Sequence, residues 1–349
     1  MKKLSLLLFI FIFLTIGVTG CKENSTDNHS GEVPESPEKI TLGLQKLITP
    51  ELIVRYENKY EEYLGENVEI VQFDSGSDVN TALASGSIDI GIMGTSVVAT
   101  GLSSNMEIEV IWINDIIGSA ESLIVKKDAG INDINDMKGK RIAAPFVSTA
   151  HFSLQNAIEN SDISSSDMEL LDMQPADILA AWERGDIDGA YVWYPVLGKL
   201  IDDGGVIITS SEEQAQSGAV TADVSVVRTE FAEQYPDIVK KYVKAQMYGL
   251  NKFQNELESS AEAIAGAADI SVEEAREQIN GFVYPSAEEQ ISERYLGGTA
   301  HAGQMSQVLR DAAIFLKEQG NIPMIPEDKV FENAINGKYI EMVLEESDS

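Results

Sequence analysis

The chain has 349 residues and carries 57 acidic against 25 basic side chains, a formal net charge of −32. That balance excludes nucleic acid as a partner, because phosphate binding calls for a basic patch. A single cysteine, Cys21, excludes internal disulfides, thiol catalysis in a folded domain and cysteine-ligated metal sites.

The chain opens on Met1-Lys2-Lys3, followed by an apolar run over residues 4–18 that ends in Val18-Thr19-Gly20-Cys21. A short positive start and an apolar run of about 15 residues read as a secretory signal, and the run is short for a membrane span. The final four residues resemble the bacterial lipobox, which implies lipidation of Cys21. Residues 1–20 are therefore read as a signal peptide and 21–38 as a lipid-anchored flexible linker, polar throughout except for Val33. No second apolar run is long enough to span a bilayer.

About 310 residues remain, enough for two lobes with separate cores. Strand and helix patterns alternate along the first part. Strands are expected over 39–44, 67–73, 88–92, 108–113 and 122–125, with helices opening near Thr49-Pro50, Ser77 and Ser96. A second alternating block has strands over 141–144, 168–172, 187–192 and 206–208, with helices over 149–159, 175–184 and 195–202. A strand over 223–227 then returns to the first lobe. The remainder is expected to be helical, over 236–253, 260–268, 271–280, 303–319 and 327–336. This places residues 39–126 plus 223–349 in lobe 1 and 127–222 in lobe 2. The two lobes are joined near Lys126-Lys127 and again near Thr221-Asp223, the layout of a hinged clamshell.

In α/β sheets, ligands sit beyond the carboxyl ends of strands at helix N-termini, where amides lack partners. Four such turns are candidates: Gln45 and its neighbours, Ser75-Gly76, Thr95-Ser96 and Ser148-Thr149 with His151. Each is either an ordinary cap or a donor set for a small anion. His151 either donates to a bound anion or caps its helix. Glu121 and Asp223 each stand immediately before an apolar strand, near the crossovers. They serve either as turn formers or as partners for a ligand ammonium. Trp193, at a strand end, is either core or a wall against an alkyl group or cation. Together these residues point to capture of a small zwitterion outside the cell. No metal and no cofactor are expected, since the histidines lack zinc spacing and neither a phosphate loop nor a nucleophile elbow occurs.

Several ordered motifs carry a family resemblance. They are Phe73-Asp74-Ser75-Gly76, Ala82-Leu83-Ala84-Ser85-Gly86, Glu121 with Leu123-Ile124-Val125-Lys126-Lys127, residues 139–154, residues 182–193, Asp223 with Val226-Val227-Arg228, and residues 315–320. The chain resembles the taurine-binding components of ATP-driven (ABC) importers, within the wider sulfonate, nitrate and thiamine-precursor binding family. The resemblance implies an α/β, two-lobe type II periplasmic-binding-protein clamshell with two crossovers and a helical C-terminal region, and no catalysis. It implies an extracytoplasmic, lipid-anchored monomer that takes a small zwitterionic sulfonate and serves an ABC permease and its ATPase. The implied ligand residues are Gln45, Ser75, Gly76, Thr95, Ser96, Glu121, Ser148, Thr149, His151, Trp193 and Asp223. Ser225 replaces an aromatic usual in the taurine-binding pattern, Lys46-Leu47 replace smaller polar residues, and Val97 stands where proline is usual. Rival readings are an alkanesulfonate, nitrate or thiamine-precursor binder, an enzyme on this fold using His151, and a sensor or adhesin without transport.

Overall fold

The computed structural model describes residues 36–347. The signal peptide, Cys21 and nearly all of the linker therefore lie outside the described residues. Among the described residues no helix is long and apolar enough to cross a membrane.

Two sheets organise the chain. The first contains β1 (Ile40–Gln45), β2 (Val68–Phe73), β3 (Ile90–Gly94), β4 (Ile108–Ile117), β10 (Ala222–Arg228) and β11 (Phe282–Val283), in the order β11-β4-β10-β3-β1-β2. The second contains β5 (Glu121–Val125), β6 (Arg141–Ala144), β7 (Glu169–Asp172), β8 (Gly189–Trp193) and β9 (Val206–Ser210), in the order β7-β6-β8-β5-β9. In each sheet the βαβ part is parallel, β1 with β2 and β3, β6 with β7 and β8. The strand that enters after a crossover is antiparallel: β10 against β3 and β4, β5 against β8 and β9.

The strands form where the sequence places β-branched and large apolar residues. The inner strands β1, β3, β4, β5, β8 and β10 are buried almost throughout because helices cover each sheet, while β2, β7 and β9 at the sheet edges keep exposed positions. In the second sheet this gives two separate apolar clusters by simple alternation. Ile124, Ala190 and Val192 pack with Trp182 and Leu197 on one face. Leu123, Tyr191 and Ile142 pack with Leu154 on the other. The first sheet has a larger core, into which the C-terminal helices Pro236–Asn255 and Met305–Glu318 insert Tyr242, Val243, Leu309 and Phe315.

One boundary differs from the sequence expectation. β5 pairs Glu121 with Trp193 and Ser122 with Val192, so it belongs to the second lobe, not the first. The crossover lies at residues 118–120 rather than at Lys126-Lys127. The reason is tertiary: the Gly118 and Ala120 amides both donate to the Gly281 carbonyl, at 3.1 Å each, and this clamps the turn. A Cβ on Gly281 would stand 2.5 Å from the Ala120 nitrogen, so only glycine allows the approach. The two crossovers lie side by side, the Ile117 amide donating to the Thr221 carbonyl at 2.9 Å.

Two further differences bear on the site. β4 runs on to Ile117, through Asn114 and Asp115, whereas the sequence pattern ends it at Ile113. Phe282–Val283 adds a short edge strand to β4.

Candidate functional site

The two lobes face each other across a cleft of about 510 Å³, its mouth included. Gln45, Ser75, Gly76, Gly94, Val97 and Asp223 line it from the first lobe, and Glu121, Phe146, Ser148, Thr149, Gln174 and Trp193 from the second. The lining contains two carboxylates and no lysine, arginine or histidine.

Local sequence builds the anion-ready side. Helices Gly76–Ala84, Thr95–Ser103 and Thr149–Glu159 start just beyond the carboxyl ends of β2, β3 and β6. Ser75 caps the first: its hydroxyl accepts from the Asp78 amide at 3.4 Å and donates to the Asp78 carboxylate at 2.8 Å. Gly94 precedes the second, which has no side-chain cap. Ser148 caps the third, accepting from the His151 amide at 3.2 Å and donating to the Pro145 carbonyl. Among the described residues no acceptor meets the Thr149 and Ala150 amides at its start. Val147 supports this geometry in a left-handed conformation, φ 68°, unusual for a β-branched residue. Its amide donates to His151 Nδ1 at 3.4 Å.

The acidic side is buried. Glu121 Oε2 accepts from Thr149 Oγ1 at 2.7 Å and Glu121 Oε1 from Ser211 Oγ at 2.7 Å. Burial pushes the Glu121 carboxyl up to about 7, although both hydroxyls favour its charged form. Burial likewise pushes Asp223 up to about 7. A ligand ammonium between these groups would restore both to carboxylates.

Gly94 holds the lobes close. A Cβ there would lie 2.8 Å from Thr149 Cγ2 and 3.7 Å from Asp223 Oδ1. Gln45 is fixed by its Nε2 donating to the Ile92 carbonyl at 3.1 Å. Trp193, half-buried, touches both lobe cores and lines the cleft.

Of the eleven candidate ligand residues, Gln45, Ser75, Gly76, Glu121, Ser148, Thr149, Trp193 and Asp223 line the cleft, and Thr95, Ser96 and His151 do not. Thr95 Oγ1 accepts from the Ala222 amide at 3.4 Å, behind the Gly94 backbone. Ser96 is fully buried. His151 stacks on Phe146 at 4.3 Å between ring centres and meets Phe315 of the first lobe edge-on at 5.2 Å. Burial lowers it to about 4, partly offset by Asp172, so it is neutral near pH 7 and offers an anion no charge. Ser225 faces away from the cleft, its hydroxyl donating to Asn114 Oδ1 at 2.8 Å. Lys46 pairs with Asp74 at 2.6 Å in an exposed ion pair. Leu47 and Val97 do reach the lining.

A family model described as NMT1/THI5 like matches residues 58–260. The chain is 36% identical over 298 residues to the taurine-binding periplasmic protein of Escherichia coli (strain K12), covering 83% of this chain and 89% of that protein. The chain belongs to the NMT1/THI5-like family. Its fold matches the alkanesulfonate-binding protein SsuA from Xanthomonas axonopodis pv. citri bound to MOPS, with TM-score 0.70 and 20% identity over 86% of this chain and 98% of that one. It also matches the desulfurization enzyme DSZB, with TM-score 0.62 and 14% identity over 88% and 100% of the two chains. This NMT1/THI5-like fold is thus the α/β two-lobe architecture read from the motifs.

Sequence reasoning missed Phe146, Gln174, Ile117 and Phe282 on the cleft wall of this family member. It also missed Asp115, which is fully buried in β4 opposite Asp223 of β10. Gln174 had one available signal, since it precedes Pro175 at a helix start beyond β7. Phe282 and Asp115 had none, because their placement depends on strands distant in sequence.

Proposed function

We propose that this protein is the extracytoplasmic, lipid-anchored, monomeric binding component of an ABC importer. It captures taurine, or a closely related small amino-sulfonate, between its lobes and delivers it to the permease. One observation carries the reading: the hydroxyl of Thr149, first residue of a helix with unpaired amides, donates to Glu121 at 2.7 Å. An oxyanion site and a cation site therefore lie one side chain apart, the spacing a two-carbon zwitterion needs.

The sulfonate is held by the free amides at the Gly76 and Thr149 helix starts, since the Ser75, Ser148 and Thr149 hydroxyls donate elsewhere, and the ammonium by Glu121 and Asp223. A helix dipole contributes about 0.3–2 kcal/mol and each hydrogen bond to a charged group about 1.5–3 kcal/mol. A few convergent donors therefore suffice for micromolar binding, about 8 kcal/mol, after the ligand is ordered. Ligand contacts to both lobes favour the closed form, a shift of populations.

Nitrate, alkanesulfonates and other plain anions fit less well, because the lining presents two acids and no base. The residue weighed as a catalytic base, His151, lies outside the cleft lining, which counts against the enzymatic reading. Residues 1–21 supply the secretion and lipidation signals on which the anchoring part of the proposal rests.

Calorimetry with taurine and ethanesulfonate tests the reading. Glu121→Gln and Asp223→Asn should weaken taurine far more than ethanesulfonate, which has no amine. Equal losses for the two ligands would remove the ammonium role of these acids.

A further inference from the structure

Asp115 is the most unusual group near the cleft. It is fully buried, and neither carboxylate oxygen makes a hydrogen bond of good geometry, the Asp223 amide being the one donor that approaches it. It stands directly opposite Asp223 across the antiparallel β4–β10 pair. Such neighbours have Cβ atoms about 4.5–5.5 Å apart, where like charges repel. Asp223 lines the cleft and Asp115 does not, so Asp115 acts through Asp223.

The other groups around it offer no compensation. On β5, Glu121 adds a third acid. After β11, the Tyr284 phenol is buried, its oxygen also lacks a partner, and the two aspartates with burial keep it protonated. The Asp223 amide is the one group that favours a charged Asp115, against burial and the Asp223 charge. No lysine or arginine acts on Asp115, Glu121 or Asp223. A buried charge without a partner is strongly disfavoured, and two facing carboxyls titrate as one coupled unit.

We propose that Asp115 makes this cleft demand a positively charged ligand: behind Asp223, it obliges the ligand-free pair to hold one more proton than the pair holds beside an ammonium. Capture of an amino-sulfonate then displaces that proton to solvent. The inference rests on the amino-sulfonate reading above and adds a positioning residue and a proton stoichiometry to it. A ligand without an amine leaves the proton in place and meets a neutral wall. The cleft would therefore discriminate against plain sulfonates by proton retention, and discrimination would weaken where the proton is already gone.

The test is titration calorimetry of taurine into the whole protein in buffers of differing ionisation enthalpy. The slope of observed heat against buffer enthalpy counts protons. Wild type should release nearly two protons per taurine near pH 6, one from Glu121 and one from the coupled Asp115–Asp223 pair, falling toward zero at alkaline pH. Ethanesulfonate should release none. Asp115→Asn should release clearly fewer protons than wild type at the same pH, with the Glu121 proton retained in the count, and should lose part of its preference for taurine over ethanesulfonate. Saturable taurine binding with zero slope, or an Asp115→Asn slope equal to wild type, overturns the proposal.

A second measurement needs no ligand. Carboxyl-carbon NMR of aspartate-labelled protein should show Asp115 and Asp223 titrating in two separated steps, the upper near or above neutrality, and Asp223→Asn should leave one. If both titrate in the ordinary aspartate range, the pair is not coupled and the proposal fails. If taurine produces no heat at all, the amino-sulfonate reading fails instead, and the NMR titration alone judges the coupled pair.

Discussion

The substitution Glu121→Gln should stabilise the empty protein while weakening it as a receptor. Glu121 has an unperturbed value of 4.5 and is pushed to about 7 by burial in the fold. Between those values the folded protein keeps a proton that the unfolded chain gives up. The stability associated with this group is therefore fully present below about pH 4.5 and is lost as pH rises through about 7. At about 1.4 kcal/mol for each pH unit between those two values, the loss is about 3 kcal/mol by pH 7.5. The amide of the variant stays neutral throughout, and the Thr149 and Ser211 hydroxyls can rotate to meet it. The stability of Glu121→Gln minus that of wild type should rise by about 3 kcal/mol between pH 4.5 and pH 7.5. Urea unfolding of ligand-free protein across this range measures it. Using the difference cancels the self-repulsion of a chain with net charge −32, which acts on both proteins alike. The same variant should bind taurine about 10–100-fold more weakly, the loss of a charge-assisted contact of about 1.5–3 kcal/mol. A flat difference, or one of opposite sign, would mean that Glu121 ionises normally in the empty cleft, and the buried-acid account would be wrong.

Two further substitutions probe the closed cleft. Gly94→Ala puts a methyl 2.8 Å from Thr149 Cγ2, so the lobes must part slightly. At about 1–3 kcal/mol for overpacking, taurine affinity should fall about 10–100-fold by calorimetry, and unchanged affinity would show that closure does not depend on this contact. His151 carries the opposite sign to Glu121: lowered from 6.5 to about 4, it contributes stability above about pH 6.5 that is lost as pH falls through about 4. Wild type should lose about 3 kcal/mol over that window that His151→Phe, which keeps the stack on Phe146, does not lose. Matching urea midpoints for the two proteins at pH 4 and pH 7 would refute it.

Much of the site was legible because it is local. A cap residue followed by a helix start leaves free amides whatever the rest of the fold does, and Ser75, Ser148 and Thr149 are found on the cleft as that rule expects. Glu121 and Asp223 stand out in the sequence because each precedes an apolar strand near a crossover. The same local rule failed at Thr95 and Ser96, whose helix start lies at the cleft while their side chains are buried behind Gly94. It failed at His151 too, where the first turn of the helix rotates the ring away from the cleft onto Phe146 and across to Phe315 of the other lobe.

Alternating strand and helix periodicity determined the α/β class and most strand positions, because hydrophobic spacing is written residue by residue. Pairing was not written that way. Glu121–Val125 reads equally well as the last strand of one lobe or the first of the next, and hydrogen bonds to Gly281 and β8, all far along the chain, decide between them. Asn114-Asp115 reads as a strand end until β10 and β11 cover it and convert two polar residues into buried ones. Local propensity therefore fixed the donors of the cleft. The long-range register of β4, β5 and β10 decided which acids are buried close to one another.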